Sequence, residues 1–358
     1  MAYNYSITVP AHPNIYTGEN LRKFRIEYSI PSDGTNKDTG ILVLVPGFGA
    51  NINSNIYIKM RETFADMHNC VTVQCEYFGS KFMQIDYPLF FDTENLKSII
   101  PKGIYKEIQV DNTRFYELLS KLPIKLEAEA SLDENMHEFV DLGFMQAIDI
   151  ITAIEMIKIV LKENNLKFNN RRVIGYGHSH GAYLLLLCNR LAPHLFSYIF
   201  DNSAWISPVY LQEPRLNFIN YEQLQITVRY NYIVRDILED KESLSLKSLY
   251  SKFDNGAYIY SLIGTSDHLV NVNDKHNFSI SVSNYFLNII DEDKVDGEVF
   301  KTTQHGLDAD FLILFEQCMN QMPEFENELN LEMIYSVKSN ETELLVDFTA
   351  DLPLFQLI

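Results

Sequence analysis

The chain has 358 residues, 46% of them apolar and 13% aromatic, enough for one large core with insertions or a second unit at roughly 100–200 residues per domain. Its 48 acidic against 29 basic side chains give a formal charge of −19, and the resulting field repels nucleic acid and anionic membrane surfaces. Met1 to Asn14 lacks the basic and apolar regions of a secretory leader, and the tightest apolar run, Ala182 to Cys188, is far below the roughly 20 residues of a membrane span. A soluble cytoplasmic protein is expected.

In chain order, Lys23 to Ile30 alternates as an edge strand does, and Ile41 to Val45 is a continuous apolar run, expected of a strand covered on both faces. Pro46-Gly47-Phe48-Gly49 ends it, and a helix over Asn55 to Met67 leads to a second apolar strand, Val71 to Cys75. From Phe78 to Ser131 the strand–helix rhythm is lost, prolines and scattered aromatics replace it, and an insertion is expected. A helix follows, with Val140, Phe144, Ala147, Ile151, Ile154, Ile157 and Leu161 stepping by threes and fours along one face. Arg172 to Tyr176, Ala182 to Leu191 and Tyr198 to Asp201 then read as strand, helix and strand.

Ile206 to Asn255 breaks the rhythm again, with one strand expected within Gln225 to Val234. Strand Ala257 to Ile263, helix His276 to Ile289, strand Glu298 to Lys301 and helix Leu307 to Met319 complete the pattern, and a hairpin is expected around Ser339-Asn340. The pattern divides the chain into a core of residues 1–77, 131–205 and 256–325, cap-like insertions at 78–130 and 206–255, and an extension at 326–358. Cys70, Cys75, Cys188 and Cys318 have neither C-x-x-C spacing nor the density of a disulfide scaffold, which makes them buried thiols of a reducing compartment.

The most specific signal is Gly177-His178-Ser179-His180-Gly181 between an apolar strand and an apolar helix. A serine in that turn needs a strained backbone to present its hydroxyl, and glycines two residues to either side keep strand and helix from colliding. In this arrangement the chain resembles the α/β-hydrolase superfamily. The resemblance covers most of the chain outside the insertions and implies an α/β fold with a mostly parallel central sheet, helices on both faces and two cap-like insertions. By overall likeness the chain also resembles an uncharacterised bacterial family associated with flagellar glycan gene clusters.

The superfamily's order of nucleophile, acid and histidine implies Ser179 as nucleophile, Asp267 after the Ala257–Ile263 strand as acid, and His305 as general base. Asp201, Asp254 and Asp274 are rivals for the acid, Asp201 because it ends the strand after the serine. The oxyanion hole should combine the backbone N–H of His180 with that of Phe48, or failing that Gly49, in the loop after Val45. His178 and His180, with His268 or His276, do not make a metal site, because residues flanking the serine point apart and no carboxylate or cysteine is suitably spaced.

The expected activity, without cofactor or metal, is hydrolysis of an ester, an O-acyl group on a small metabolite or sugar, through an acyl-enzyme. Acyl transfer by the same triad, a peptidase or thioesterase, and a non-catalytic binding protein on the same scaffold are the alternatives. The two insertions should fold over Ser179 and select the substrate, with Phe82 and Phe90 as pocket-wall residues. Sequence does not set the oligomeric state.

Overall fold

The computed structural model of the chain describes residues 1–323 and 332–358. Strands β1 (Tyr3–Pro10), β2 (Lys23–Ile30), β3 (Gly40–Val45), β4 (Cys70–Cys75), β5 (Leu89–Phe90), β6 (Lys125–Ala130), β7 (Val173–His178) and β8 (Tyr198–Asn202) come from the first part of the chain. The second part supplies β9 (Arg215–Tyr221), β10 (Leu224–Tyr230), β11 (Tyr258–Gly264), β12 (Tyr285–Ile290), β13 (Ile334–Ser339), β14 (Thr342–Asp347) and β15 (Leu354–Leu357).

Eight strands form the main sheet in the order β1-β2-β4-β3-β7-β8-β11-β12. β4, β3, β7, β8, β11 and β12 run parallel, while β1 and β2 add an antiparallel margin. Every residue of β3, β4 and β8 is buried, as a sheet covered on both faces requires. Alternate residues serve opposite cores. Leu42, Leu44 and Ile174 pack under the helices Asn55–His68 and Phe311–Asn320, whereas Ile41, Val43 and Val173 pack under Phe144–Glu163 and His180–Leu191. Among the described residues no helix is long and apolar enough to cross a membrane.

Several elements differ from the sequence expectation. β2 is covered on both edges, because Tyr3–Pro10 pairs along its whole length and takes the margin. The helix expected from Val140 begins at Phe144. Leu142 has φ +58°, and the Asp141 carboxylate accepts the N–H groups of Met145 and Gly143 at 2.6 and 3.3 Å, which fixes the start. The helix expected at His276–Ile289 lies at Val272–Ile280, and the last strand of the main sheet is Tyr285–Ile290. Glu298 to Lys301 is a loop instead of a strand: the Asp296 carboxylate accepts the N–H groups of Glu298, Val299 and Phe300, which satisfies donors that a ladder would have used.

The residues between the core segments form a second sheet, ordered β5-β6-β10-β9. β6 pairs parallel with β10 across about a hundred residues of chain, so one sheet draws on both 78–130 and 206–255. Three strands, β13-β14-β15, close the chain around a hairpin whose Asn340 has φ +45°. They are tied to the core by the Tyr335 hydroxyl on Leu191 O and by Phe355 N–H on His12. The 325/326 boundary lies outside the described residues.

Candidate active site

Ser179 sits between β7 and the helix His180–Leu191 with φ +54° and ψ −121°, a conformation that L residues adopt only when their surroundings impose it. Two glycines make that turn possible. A Cβ on Gly177 would stand 2.6 Å from the backbone of Ala182, and one on Gly181 would run into the carbonyls of Val45 and Pro46. The turn is further held by Ser179 N–H on Asn202 O, 2.7 Å.

The Ser179 Oγ and His305 Nε2 are 2.7 Å apart, and His305 Nδ1 is 2.8 Å from Asp267 Oδ2. Ser179 is only 6% exposed, so the line of three side chains is nearly withdrawn from water. Each member comes from a different connection at the C-terminal ends of the parallel strands, which is where such sheets collect ligand sites. Asp267 is held by backbone as well, since its other oxygen accepts the N–H groups of Leu269 and Val270, both at 2.9 Å. Burial acts to raise the Asp267 pKa, but the hydrogen bond and charge of His305 together with those two N–H groups outweigh it and set it below the ordinary value.

The His305 loop turns through three consecutive positive φ angles, +75° at Gly306, +64° at Leu307 and +43° at Asp308. The residues after β8 secure it: Gly306 N–H donates to Ser203 Oγ at 3.1 Å, and Asn202 Nδ2 donates to Gly306 O at 3.2 Å. Sequence reasoning missed both anchors. Each is a short polar side chain made significant only by contact with a segment about a hundred residues away.

The rival carboxylates are occupied elsewhere. Asp201 is fully buried with Lys275, Nζ to Oδ2 2.5 Å, and its carboxylate also accepts from Ser261, Tyr285 and the N–H of Ala204. Asp274 pairs with Lys247 at 2.8 Å on the surface, and Asp254 is exposed.

His178 and His180 flank Ser179 and diverge. His178 lies against the rings of His305 and Phe311, and burial lowers its pKa to about 4. A cavity of about 680 Å³, lined by His178 and His305 with Gln304, Thr302, Phe311 and Met60 among its walls, opens on that side. His180 is fully buried among Phe48, Tyr183 and Trp205, with neither ring nitrogen hydrogen-bonded, and burial takes its pKa down to about 3. Both rings are therefore neutral at ordinary pH. Among the described residues no three His, Cys, Asp or Glu side chains converge as a metal site would require.

The Pro46–Gly49 loop reaches the same region. The Phe48 ring lies 5.3 Å from that of His180, 5.9 Å from Trp205, 5.0 Å from Tyr210 and 5.7 Å from Tyr232. Neither Phe82 nor Phe90, the expected pocket-wall pair, is among those rings on Phe48. Phe82 is buried in the core, and Phe90 is 67% exposed on the outer surface.

A family model described as a protein of unknown function (DUF2920) matches residues 83–224, a span that includes the Ser179 turn. No curated protein matches the sequence. Among solved structures the chain is similar to the acylaminoacyl peptidase of Pyrococcus horikoshii, at 10% identity and a TM-score of 0.50, over 92% of this chain and 43% of that one. It is also similar to Est1E from Butyrivibrio proteoclasticus bound to ferulic acid, at 11% identity and a TM-score of 0.46 over 83% and 93% of the two chains. For the dienelactone hydrolase of Anabaena variabilis the values are 11% and 0.41, over 89% and 96%. At such identities a likeness bears on the fold alone. The likeness to the acylaminoacyl peptidase, together with the strand order, makes this an α/β-hydrolase-fold protein.

Proposed function

We propose that the chain is a serine hydrolase that cleaves a carboxylic ester, an O-acyl group on a small metabolite or sugar, through an acyl-enzyme on Ser179. The observation that carries this reading is the continuous hydrogen-bonded line from Ser179 Oγ through His305 to Asp267. A neutral hydroxyl is a poor nucleophile. As Ser179 Oγ bonds to the substrate's carbonyl carbon, His305 Nε2 takes its proton, and the Nδ1–H donated to Asp267 keeps Nε2 free to accept it. The carbon–oxygen bond to the alcohol then breaks, with Nε2 returning the proton to the departing oxygen. Water repeats the sequence: its proton goes to Nε2, its oxygen bonds to the acyl carbon, and the Ser179 ester breaks with the proton restored to Oγ.

The carbonyl oxygen becomes an oxyanion at each addition. Its donors are the N–H of His180, free because it opens a helix, and the N–H of Phe48 or Gly49 from the loop after β3. The second sheet and its connections form the lid of the substrate pocket. Tyr210 and Tyr232, from 206–255, lie on Phe48, and Arg215 is hydrogen-bonded to Met83 O at 2.7 Å, which joins the two inserted segments beside that loop. Substrate choice then resides in elements that do not carry the chemistry.

Turnover of a short-chain aryl ester by the purified chain tests the reading, with Ser179→Ala as the control. The variant is expected to lose at least about 10⁴-fold in kcat while melting at nearly the wild-type temperature, because it removes one oxygen from a preformed turn. Ester turnover that survives Ser179→Ala contradicts the mechanism.

A further inference from the structure

Strand β9 places a charged side chain where its neighbours are apolar. Along β9, Leu216, Phe218 and Asn220 are exposed, whereas Arg215, Asn217 and Ile219 are half-buried and share the face on which β10 buries Leu224, Ile226, Val228 and Tyr230. The Arg215 guanidinium lies between two rings, 5.0 Å from the centre of Phe48 and 5.4 Å from that of Tyr230. One terminal nitrogen donates to Met83 O at 2.7 Å, and Tyr232 stands within the reach of its charge. Its terminal nitrogens also lie 3.3 and 3.6 Å from where a Cβ on Gly49 would stand, so the absence of a side chain there lets the cation sit against the loop backbone.

Arg215 has no anion beside it, whereas Arg22 pairs with Asp149, Arg25 with Glu76, and Lys275 with Asp201. Arg172, Arg190 and Arg235 also lack a carboxylate partner and donate to carbonyl or amide oxygens, so what sets Arg215 apart is its place against the Phe48–Gly49 loop. Among the described residues no carboxylate oxygen lies within ion-pair distance of Arg215. Half-burial of a guanidinium without a counter-charge costs stability, and the bond to Met83 O uses one of its five donors. The chain's net charge of −19 opposes the approach of an anion, so an anionic substrate needs a local cation to hold it.

We propose that Arg215 is the anion-recognising residue of the substrate pocket, and that the ester taken by this site carries a carboxylate. The inference rests on the serine-hydrolase reading above. The carboxylate would be gripped by the guanidinium fork between Phe48 and Tyr230, with the ester carbonyl lying between Ser179 and the Phe48–Gly49 loop. Planar two-point binding of a carboxylate is what a guanidinium supplies and an ammonium does not. The nearby rings of Trp205, Tyr210 and Tyr232 would enclose the apolar part of the substrate.

The test is a comparison of matched esters in the wild type, Arg215→Met and Arg215→Lys. p-Nitrophenyl hemisuccinate against p-nitrophenyl butyrate places the carboxylate in the acyl part, and 4-acetoxybenzoate against phenyl acetate places it in the alcohol part. The wild type should favour the anionic member of at least one pair. For that pair Arg215→Met should lower the anionic-to-neutral ratio of kcat/KM by about 10- to 100-fold, the range of a hydrogen bond to a charged group, with the loss in KM more than in kcat. Arg215→Lys should recover only part of it. A ratio that Arg215→Met leaves unchanged in both pairs overturns the proposal and makes Arg215 a clamp on Met83 only.

A second measurement does not depend on the variant folding. In the wild type, succinate should compete with p-nitrophenyl butyrate more strongly than succinamide does, and equal competition counts against a carboxylate subsite. The two readings fail differently. A chain that hydrolyses all four esters with ratios independent of Arg215 contradicts this proposal alone, whereas one that hydrolyses none and leaves Ser179 unreactive towards a phosphonate contradicts the hydrolase as well.

Discussion

Two aspartates stand at adjacent strand ends beside Ser179, and their surroundings give them opposite characters. Asp201, in β8, is 0% exposed and faces a buried lysine: Lys275 at 2.5 Å, with Ser261 at 2.8 Å, Tyr285 at 2.9 Å and the Ala204 N–H at 2.6 Å filling its remaining lone pairs. Asp267, just beyond β11, faces a ring that can change its charge, His305 at 2.8 Å, and two backbone donors that fix its direction. The segment after β11 serves both, since Asp267 lies on its loop and Lys275 on the helix that follows. A carboxylate at a strand end is thus not an acid for catalysis by position. Its partners decide: the buried ion pair with Lys275 removes Asp201 from that role, and its bonds to Ser261 and Tyr285 help to lock β8 to β11 and β12.

This contrast can be broken experimentally, and the largest expected effect is on turnover. Asp267→Asn should lower kcat by about 10³–10⁴-fold, because the amide no longer holds the His305 tautomer or offsets its transient charge, while the melting temperature changes little. A greater loss of kcat in folded Asp201→Asn than in Asp267→Asn would exchange the two roles. Next comes stability. Asp201→Asn leaves the Lys275 ammonium buried and unpaired, and by the usual cost of breaking such a pair it should destabilise the fold by about 3–5 kcal/mol in denaturant unfolding. The double change Asp201→Asn with Lys275→Met should recover much of that loss. Equal destabilisation in the single and double variants would show that the charge is not the reason.

The smallest effect is a pH dependence. The Asp267 pKa is lower in the folded chain than its ordinary 3.8, so the unfolded chain binds more protons as the two diverge, and the contribution of Asp267 to stability is present above about pH 4 and lost as pH falls through the lowered value. The difference in melting temperature between wild type and Asp267→Asn should therefore move in favour of the wild type as pH rises through that window, then stay level. A difference that moved against the wild type over the same interval would mean that burial, and not His305, dominates at Asp267.

The parts of the molecule that were readable in the sequence are those where local chemistry and fold make the same demand. Gly177 and Gly181 announce a turn that no Cβ could enter, and the continuous apolar runs of β3, β4 and β7 announce strands covered on both faces. Asp267 and His305 are reachable through chain order, even though the strand expected before His305 is in fact a loop and the last strand of the main sheet, Tyr285–Ile290, falls mostly within the stretch whose spacing suggests a helix. Its mixture of exposed and half-buried residues gives no clean period of two, as befits a strand at the sheet margin. In β6 the signal is present within a stretch that otherwise lacks a rhythm: Leu126 and Ala128 are buried while Lys125, Glu127 and Glu129 are exposed, a plain alternation. The pairing of Lys275 with Asp201 and the seat of Arg215 were not readable at all. Each depends on side chains brought together from separate segments, and neither leaves a local pattern.

The most direct test of the central claim is the reactivity of one oxygen. Incubated with a small aryl phosphonate and digested, the wild-type chain should yield a single phosphonylated peptide carrying the adduct on Ser179, at one adduct per chain. His305→Ala should slow its formation by orders of magnitude, because Ser179 Oγ then has no base at 2.7 Å to take its proton. A wild-type chain left unmodified, or modified at another residue while Ser179 stays free, would contradict the assignment of this site as a serine hydrolase.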